Sequence, residues 1–462
     1  MANLKAPKND EISSASIITE LIPFHTSRKQ HNSGLESWSC AFSPDESYFV
    51  WSSGNSVVTL LPWSFCKHTV ILIDSKHDAE DCFGCNTKSI NTGHTVRSVA
   101  FGTSTLYYGK RASPFWARLS SSKDLVLATG HANGRIRTWD VVTGKLILEL
   151  LDHSDMVSHL AFNPAGNLIL VSASYDGALK VWDLLEDGNM FQTLKMNNKP
   201  IFSCCWSPDA KTLVSVGMCK LVYVWNMKTM KVKFKLEGHQ HDVVSCAFSP
   251  DGCLIVSASW DTRVILWDSH NGQILRTFGH LYPSPHLIYA CGDNGTWIRD
   301  VSFSSDGAHI ATVADDGYLR FWDITSEQYP EAIAAVENAL CCKYAPSGCI
   351  LAVGQSIFID IVNCYAIATF AGSFKVLKPT GFGVPRFLKL GFLPALDCCS
   401  GLVLYCPQNK YGSVSFWNAP ACIKSLLYLS RISIRKVVSA ENVPQLGIPK
   451  SLEGYLLYKE LE

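Results

Sequence analysis

Short apolar runs punctuated by turn residues recur along this chain. RIRTWD, ALKVWD, LVYVWN, RVILWD and YLRFWD end at Trp139, Trp182, Trp225, Trp267 and Trp322, each tryptophan followed by Asp or Asn. The first four tryptophans lie 43, 43 and 42 residues apart. Between them stand a phrase such as AFNPAGN or AFSPDGC and then one such as SASYD or SASWD. Strand-like runs separated by such turn signals predict a repeating unit of short strands. Ser249 to Gly252 reads as a tight hairpin turn, with the glycine supplying a positive φ.

In two units a Gly-His or Asp-His pair precedes the tryptophan, His153 by 29 residues and His239 by 28. Four elements recurring in this order resemble the WD repeat. The resemblance implies an all-β fold, a β-propeller, because one four-stranded blade cannot bury both faces alone and must stack on its neighbours. Within a blade the His, a strand Ser, the turn Asp and the Trp can form one hydrogen-bonded set. In one unit these are His153, Asp176 and Trp182; in another they are His239, Ser257 or Ser259, Asp261 and Trp267. Trios of His, Ser and Asp invite a catalytic reading, but recurrence at blade spacing assigns them to structure.

Seven units are counted once weaker copies are admitted. The first ends at Trp63 with no Asp after it, and the seventh begins at LCCKYAPSGCILAVG and ends at Trp417. The seventh lacks an outer strand, and residues 17–24 are the candidate to close the ring. The chain thus divides into an N-terminal segment, 1–30, a seven-bladed propeller, 31–420, and a tail, 421–462.

From Trp322 to Trp417 is 95 residues, more than two periods. Excising 355–408 joins ILAVG to NKYGSVSFW and restores a normal unit. The excised piece is apolar without clean periodicity, and its last residues, LVLYCPQ, can be encoded by a pyrimidine-rich stretch ending in CAG. The expectation is a retained intron or another non-native insertion from a gene-model artefact, and full-length transcripts read across codons 350–412 should include forms without it. Transcripts that all carry the segment would sink that reading. Asp360, Lys375, Lys378, Arg386, Lys389 and Asp397 interrupt it and argue against a membrane span.

Forty basic residues balance forty acidic ones, so no net field favours nucleic acid. The opening MANLKAPKND has no apolar signal core. Most of the 18 cysteines sit within strand phrases as small hydrophobes, which suits a reduced cytoplasmic or nuclear location. Cys82 and Cys85, near His77 and His94, are the one cluster that looks like a metal site; free thiols in a polar loop are the expectation, with no metal or cofactor. Insertions at 103–122 and 281–295 lengthen blades two and six and offer loops for a partner.

In the tail, Leu426, Leu429 and Ile432 or Ile434 mark one face of a helix, and Leu446, Ile448, Pro449, Leu452, Tyr455, Leu456 and Tyr458 form a second apolar set. A segment this short cannot build its own core, so it packs on the propeller or on a partner. A propeller followed directly by SLLYLSRISIRKV is similar to the WD-repeat and SOCS-box-containing proteins, and phrases such as ESWSCAFSPDESYFVWS and KLEGHQHDVVSCAFSPDG extend the likeness along the chain. The resemblance implies a small α-helical SOCS box with an elongin-binding face at Ser425, Leu426, Leu429, Ser430 and Ile434. It also implies a cullin-contacting box at Leu446, Ile448 and Pro449. Two positions depart: Ser430 stands for the family's Cys and Gly447 for a Pro. A buried hydroxyl left unsatisfied costs about 1–2 kcal/mol.

By this resemblance the chain is a non-catalytic substrate receptor of a cullin–RING ubiquitin ligase, with elongin B, elongin C and the cullin as partners and the propeller holding a protein target. An interaction scaffold with a degenerate box is the alternative. A propeller-fold hydrolase finds no support, since no activated nucleophile or cofactor loop stands out. Tyr175 and Trp260 precede the turn aspartates of their blades and are candidates to bind the target, or else they pack on a neighbouring blade.

Overall fold

The repeats fold as four-stranded antiparallel sheets, for example Val243–Phe248, Leu254–Ser259, Arg263–Asp268 and Ile274–Gly279 in blade five, and in blade six Ser13–Ser14 adds a fifth strand parallel to Ala332–Ala335. The computed structural model describes residues 13–14, 17–21, 36–52, 56–63, 88–104, 125–196, 198–279, 297–325, 330–336, 338–346, 350–355, 365–370, 373–377, 403–405, 414–418, 434, 438 and 440–457. The first strands of the blades are Cys40–Phe42, Val96–Thr103, Val157–Phe162, Ile201–Trp206, Val243–Phe248, Ile298–Phe303 and Ala339–Tyr344. Each touches the next, and the last touches the first, so seven blades close a ring around a central channel.

Burial follows from that geometry. The second strand of blade five is buried at every residue because both of its faces meet other blades, whereas the outer strand of blade four, Lys231–Glu237, is mostly exposed. Seven hydrophobic clusters result, one at each interface between blades. Gly252 adopts φ +75°, and its N–H donates to the Ser249 carbonyl at 2.9 Å, the tight turn read from the sequence. In blade four Ala210 takes the same left-handed conformation at φ 59° without glycine's freedom.

Blade seven is assembled from both ends of the chain. Its strands are Ala339–Tyr344, Ile350–Gln355, Val414–Asn418 and, outermost, Ile17–Leu21, which pairs Ile17 with Trp417 and Leu21 with Val414. In blade five three residues link the second and third strands. In blade seven 58 residues, 356–413, separate Gln355 from Val414, although Gly354 and Val414 pair directly. Strands Tyr365–Phe370, Ser373–Leu377 and Val403–Tyr405 of that excursion form a sheet of their own. The excised stretch read from the sequence began one residue early. Gln355 is buried blade structure: its carbonyl accepts the Ser37 N–H at 3.2 Å and its amide donates to Ser415 Oγ at 3.1 Å.

Blade one also differs from its reading. Leu61 pairs with Phe49 as Trp267 pairs with Ile255, so Leu61 occupies the tryptophan position. Trp63 lies two residues beyond and fills the seam between blades one and seven against Phe42, Phe49 and Phe416.

After the ring, Ala440–Leu446 forms a 3-10 helix and Lys450–Leu456 an α-helix. Val443 and Leu456 are buried, and Leu457 packs on the cluster between blades five and six. Among the described residues, no helix is long and apolar enough to cross a membrane.

Candidate protein-recognition site

The polar residues at blade spacing assemble within single blades. In blade three Trp182 Nε1 donates to Ser172 Oγ at 2.9 Å, Ser172 lies 2.7 Å from His153 Nε2, and His153 Nδ1 lies 2.6 Å from Asp176. In blade five the same path runs from Trp267 through Ser257 to His239 and Asp261, at 2.8, 2.7 and 2.9 Å. The carboxylate can only accept, so Nδ1 carries the proton and Nε2 receives the serine hydroxyl. Ser257 is the member of the set, while Ser259 donates to the Asp242 carbonyl at 2.8 Å. Burial alone would raise the Asp261 carboxyl, but His239 and the Gln240 and Arg263 N–H groups hold it below the ordinary carboxylate value.

Blade two solves the same problem differently. His94 occupies the Gly-His position but is exposed, and His131 enters the network from the following strand. Its Nδ1 donates to the His94 carbonyl at 3.2 Å, and Nε2 meets Thr129 Oγ1 at 3.0 Å. Burial pushes the His131 pKa down to about 4 from an ordinary 6.5. The unfolded chain therefore takes up a proton that the folded chain refuses, and stability is lost as pH falls from about 6.5 toward 4. The contribution is at most about 1.4 kcal/mol per pH unit. Urea midpoints measured at pH 7 and pH 5 should differ less in His131→Asn than in the parent; an unchanged difference would refute this assignment. His77, Cys82 and Cys85 lie outside the described residues, as do the centres of the two loop insertions. Among the described residues, no cluster of three His, Cys, Asp or Glu side chains is suited to a metal.

The non-repeating chemistry gathers at one mouth of the channel. Six of the inner strands carry a β-bulge near their start, where Arg97, Ser158, Phe202, Val244, Arg299 and Leu340 are the extra residues. A bulge re-aims its side chain out of the ladder. All six line one cavity of about 180 Å³, joined by Trp38 of blade one and by Tyr175 and Trp260. Tyr175 and Trp260 sit at matching turn positions, their N–H groups donating to the carbonyls of Met156 and Asp242.

Both aromatics belong to a continuous arc and are half-buried. Tyr175 meets Phe202 at 5.5 Å, Phe202 meets Trp260 at 5.7 Å, and Trp260 stacks on Trp297 at 5.1 Å and 23°, with His241 5.8 Å from Trp260. Packing on a neighbouring blade and facing the cavity are therefore not exclusive here. Across the mouth, the Arg97 guanidinium lies 3.9 Å above the Trp38 ring. Arg299 is held by Asp315 through two 2.6 Å bonds.

Deeper in the channel, Asp300 ties three blades together. It accepts Ser245 Oγ at 2.5 Å from blade five and the Cys342 N–H at 2.9 Å from blade seven, and its carboxylate lies 3.8 Å from Lys343 Nζ. Burial would lower the Lys343 pKa, but the Asp300 carboxylate raises it above the ordinary lysine value. His159 beside them is driven down to about 4, first by burial and then by the Lys343 charge.

The tail residues fall into two groups. Ser425, Leu426, Leu429 and Ser430 lie outside the described residues. Ile434 is helical, accepting the Val438 N–H at 2.8 Å, and is 38% exposed. Leu446 and Pro449 are exposed, Ile448 is half-buried, and the Pro449 carbonyl starts the final helix by accepting the Glu453 N–H at 3.0 Å. Gly447 has φ +62°, which proline, locked near −65°, cannot adopt. The Gly447 departure thus changes the backbone of the box as well as its side chain.

Comparison with known proteins supplies the family. The WD domain, G-beta repeat model matches residues 144–183, 188–226, 230–268 and 272–323, and the SOCS box model matches 422–457. WD repeat and SOCS box-containing protein 1 of Homo sapiens is 41% identical over 442 residues, 92% of this chain and 92% of the relative. The protein of that name from Xenopus tropicalis is 39% identical over 468 residues, 98% of each chain. The chain belongs to the WD repeat and SOCS box-containing family. Within this WD repeat and SOCS box-containing protein, the repeat model matches blades three to six. The other blades depart from the repeat pattern for visible reasons: Leu61 replaces the tryptophan in blade one, a long connection at 104–124 interrupts blade two, and 356–413 splits blade seven.

Proposed function

We propose that this chain is the substrate-receptor subunit of an elongin B/C–cullin–RING ubiquitin ligase, and that it catalyses nothing itself. A SOCS box directly following a closed propeller is the observation that carries the reading. The face from Ser425 through Leu426, Leu429 and Ser430 to Ile434 would bind elongin C with elongin B. Leu446, Ile448 and Pro449 would approach the cullin. The exposed Ile434 and Leu446 support this, since large apolar side chains left in water mark interaction surfaces. The channel mouth, with Tyr175 and Trp260 on its arc, would hold the target, and catalysis would come from proximity, through a raised effective concentration of a target lysine. The buried free thiols, such as Cys204, Cys246 and Cys341, suit a reducing cytoplasmic or nuclear compartment.

The φ of Gly447 favours a second reading, in which the cullin box is degenerate and the propeller serves as an uncoupled scaffold. Co-purification with elongins B and C separates the two. The native chain should capture both, and a Leu426→Ala, Ile434→Ala variant should lose them. A folded chain that captures neither elongin would leave only the scaffold.

A further inference from the structure

Most charges around the channel mouth are satisfied locally. Arg299 is neutralised by Asp315 and Lys343 by Asp300. Arg97 differs: no carboxylate of the described residues lies within ion-pair distance of it, and its Nε is buried without an acceptor. Trp260 Nε1, which lines the same cavity, is also a buried donor without an acceptor. A buried donor left unpaired costs on the order of 1–3 kcal/mol, more when it is charged, so two of them on residues that line one cavity favour an acceptor there. The Trp38 ring, 3.9 Å from the guanidinium carbon, anchors Arg97 at the mouth, and a guanidinium can grip a carboxylate through two parallel bonds.

We propose that the mouth binds a short acidic peptide segment of the target, one Asp or Glu carboxylate on Arg97 and a neighbouring apolar side chain on the arc of Tyr175, Phe202, Trp260 and Trp297, with Trp260 Nε1 as a further donor to the segment. This rests on the receptor reading above and gives the target its chemistry. The cavity of about 180 Å³ has room for side chains and not for a folded element. The sign and size of the charge are also set. One guanidinium outside any ion pair matches one carboxylate, whereas a phosphate of nearly two charges would be repelled more strongly by the Glu36 and Asp300 carboxylates. Burial lowers the Arg97 pKa, and the Glu36 carboxylate, beyond ion-pair distance, opposes that fall in part.

The test is selection of phage-displayed random dodecapeptides by the full chain purified with its co-purifying partners. Enriched peptides should carry Asp or Glu next to an apolar residue. Replacing that acid by its amide should weaken binding by about tenfold to a hundredfold. Arg97→Gln should weaken the acidic peptide to a similar degree and erase the difference between acid and amide, the signature of a direct pair. If Arg97→Gln fails to fold, Arg97→Lys, which keeps the charge and loses the fork, should give an intermediate loss. Failure to enrich any peptide, equal binding of acid and amide, tighter binding of a phosphoserine version, or an intact preference in the Arg97 variants would overturn the proposal. Elongin capture is read separately, so an acid-independent peptide would sink this inference and leave the receptor reading standing.

Discussion

Trp267→Ala is expected to destabilise the propeller by about 3–5 kcal/mol, the range for removing a large buried aromatic ring. The indole is 1% exposed and fills the interface between blades four and five. It is also the end of the hydrogen-bonded path to Ser257, His239 and Asp261. Gly238, the residue before that histidine, lies against it: a Cβ there would meet the ring at 2.9 Å. Removing the ring therefore leaves a cavity beneath Gly238 and strips Ser257 of its donor in one change. Trp267→Phe should recover most of the loss, because burial survives and one hydrogen bond of about 1 kcal/mol does not. Urea denaturation of the three proteins checks this. Equal midpoints for parent and alanine variant would show that blade five does not depend on its tryptophan.

Asp300→Ala should come next, at about 3 kcal/mol, for an electrostatic reason. It removes the carboxylate that faces Lys343 and accepts Ser245 Oγ and the Cys342 N–H, so an ammonium and two donors lose their partner together. A third of the Lys343 side chain remains accessible, which keeps the loss toward the lower end of the range for broken buried pairs. Adding Lys343→Met should restore a good part of the stability, because the uncompensated charge goes with it. Strict additivity of the two changes in a double-mutant cycle would refute the coupling.

The ring was legible because periodicity is a property of covalent order: the strand ends at Trp139, Trp182, Trp225, Trp267 and Trp322 need no knowledge of contacts. Where a blade satisfies the same packing with other residues, the pattern fails. Leu61 gives the tryptophan position no signal, and Trp63, two residues on, mimics it. Ser257 and Ser259 look alike in the sequence, and only the alternation of strand faces decides which reaches His239. At the mouth, Tyr175 and Trp260 were legible because each precedes a turn aspartate. Arg97, Phe202, Trp297 and Arg299 were not, since a β-bulge or a blade junction places them. One signal was available: Ser158, Phe202, Val244 and Arg299 all lie 23 or 24 residues before their blade's tryptophan. Reading that column would have exposed an arginine and an aromatic among small residues.

The strand Ile17–Leu21 closes blade seven against Val414–Asn418. On a ribosome adding about 5–20 residues per second, roughly 20–80 s separate the synthesis of Leu21 from that of Val414. Through that interval the closing strand has no partner, and the nascent ring is an open arc with two exposed sheet edges, targets for chaperones and for aggregation. The residues that come after the seam are the SOCS box. A tail that emerges only after the last blade cannot recruit other proteins to an arc still under synthesis, so vectorial translation places every strand of the ring ahead of the box.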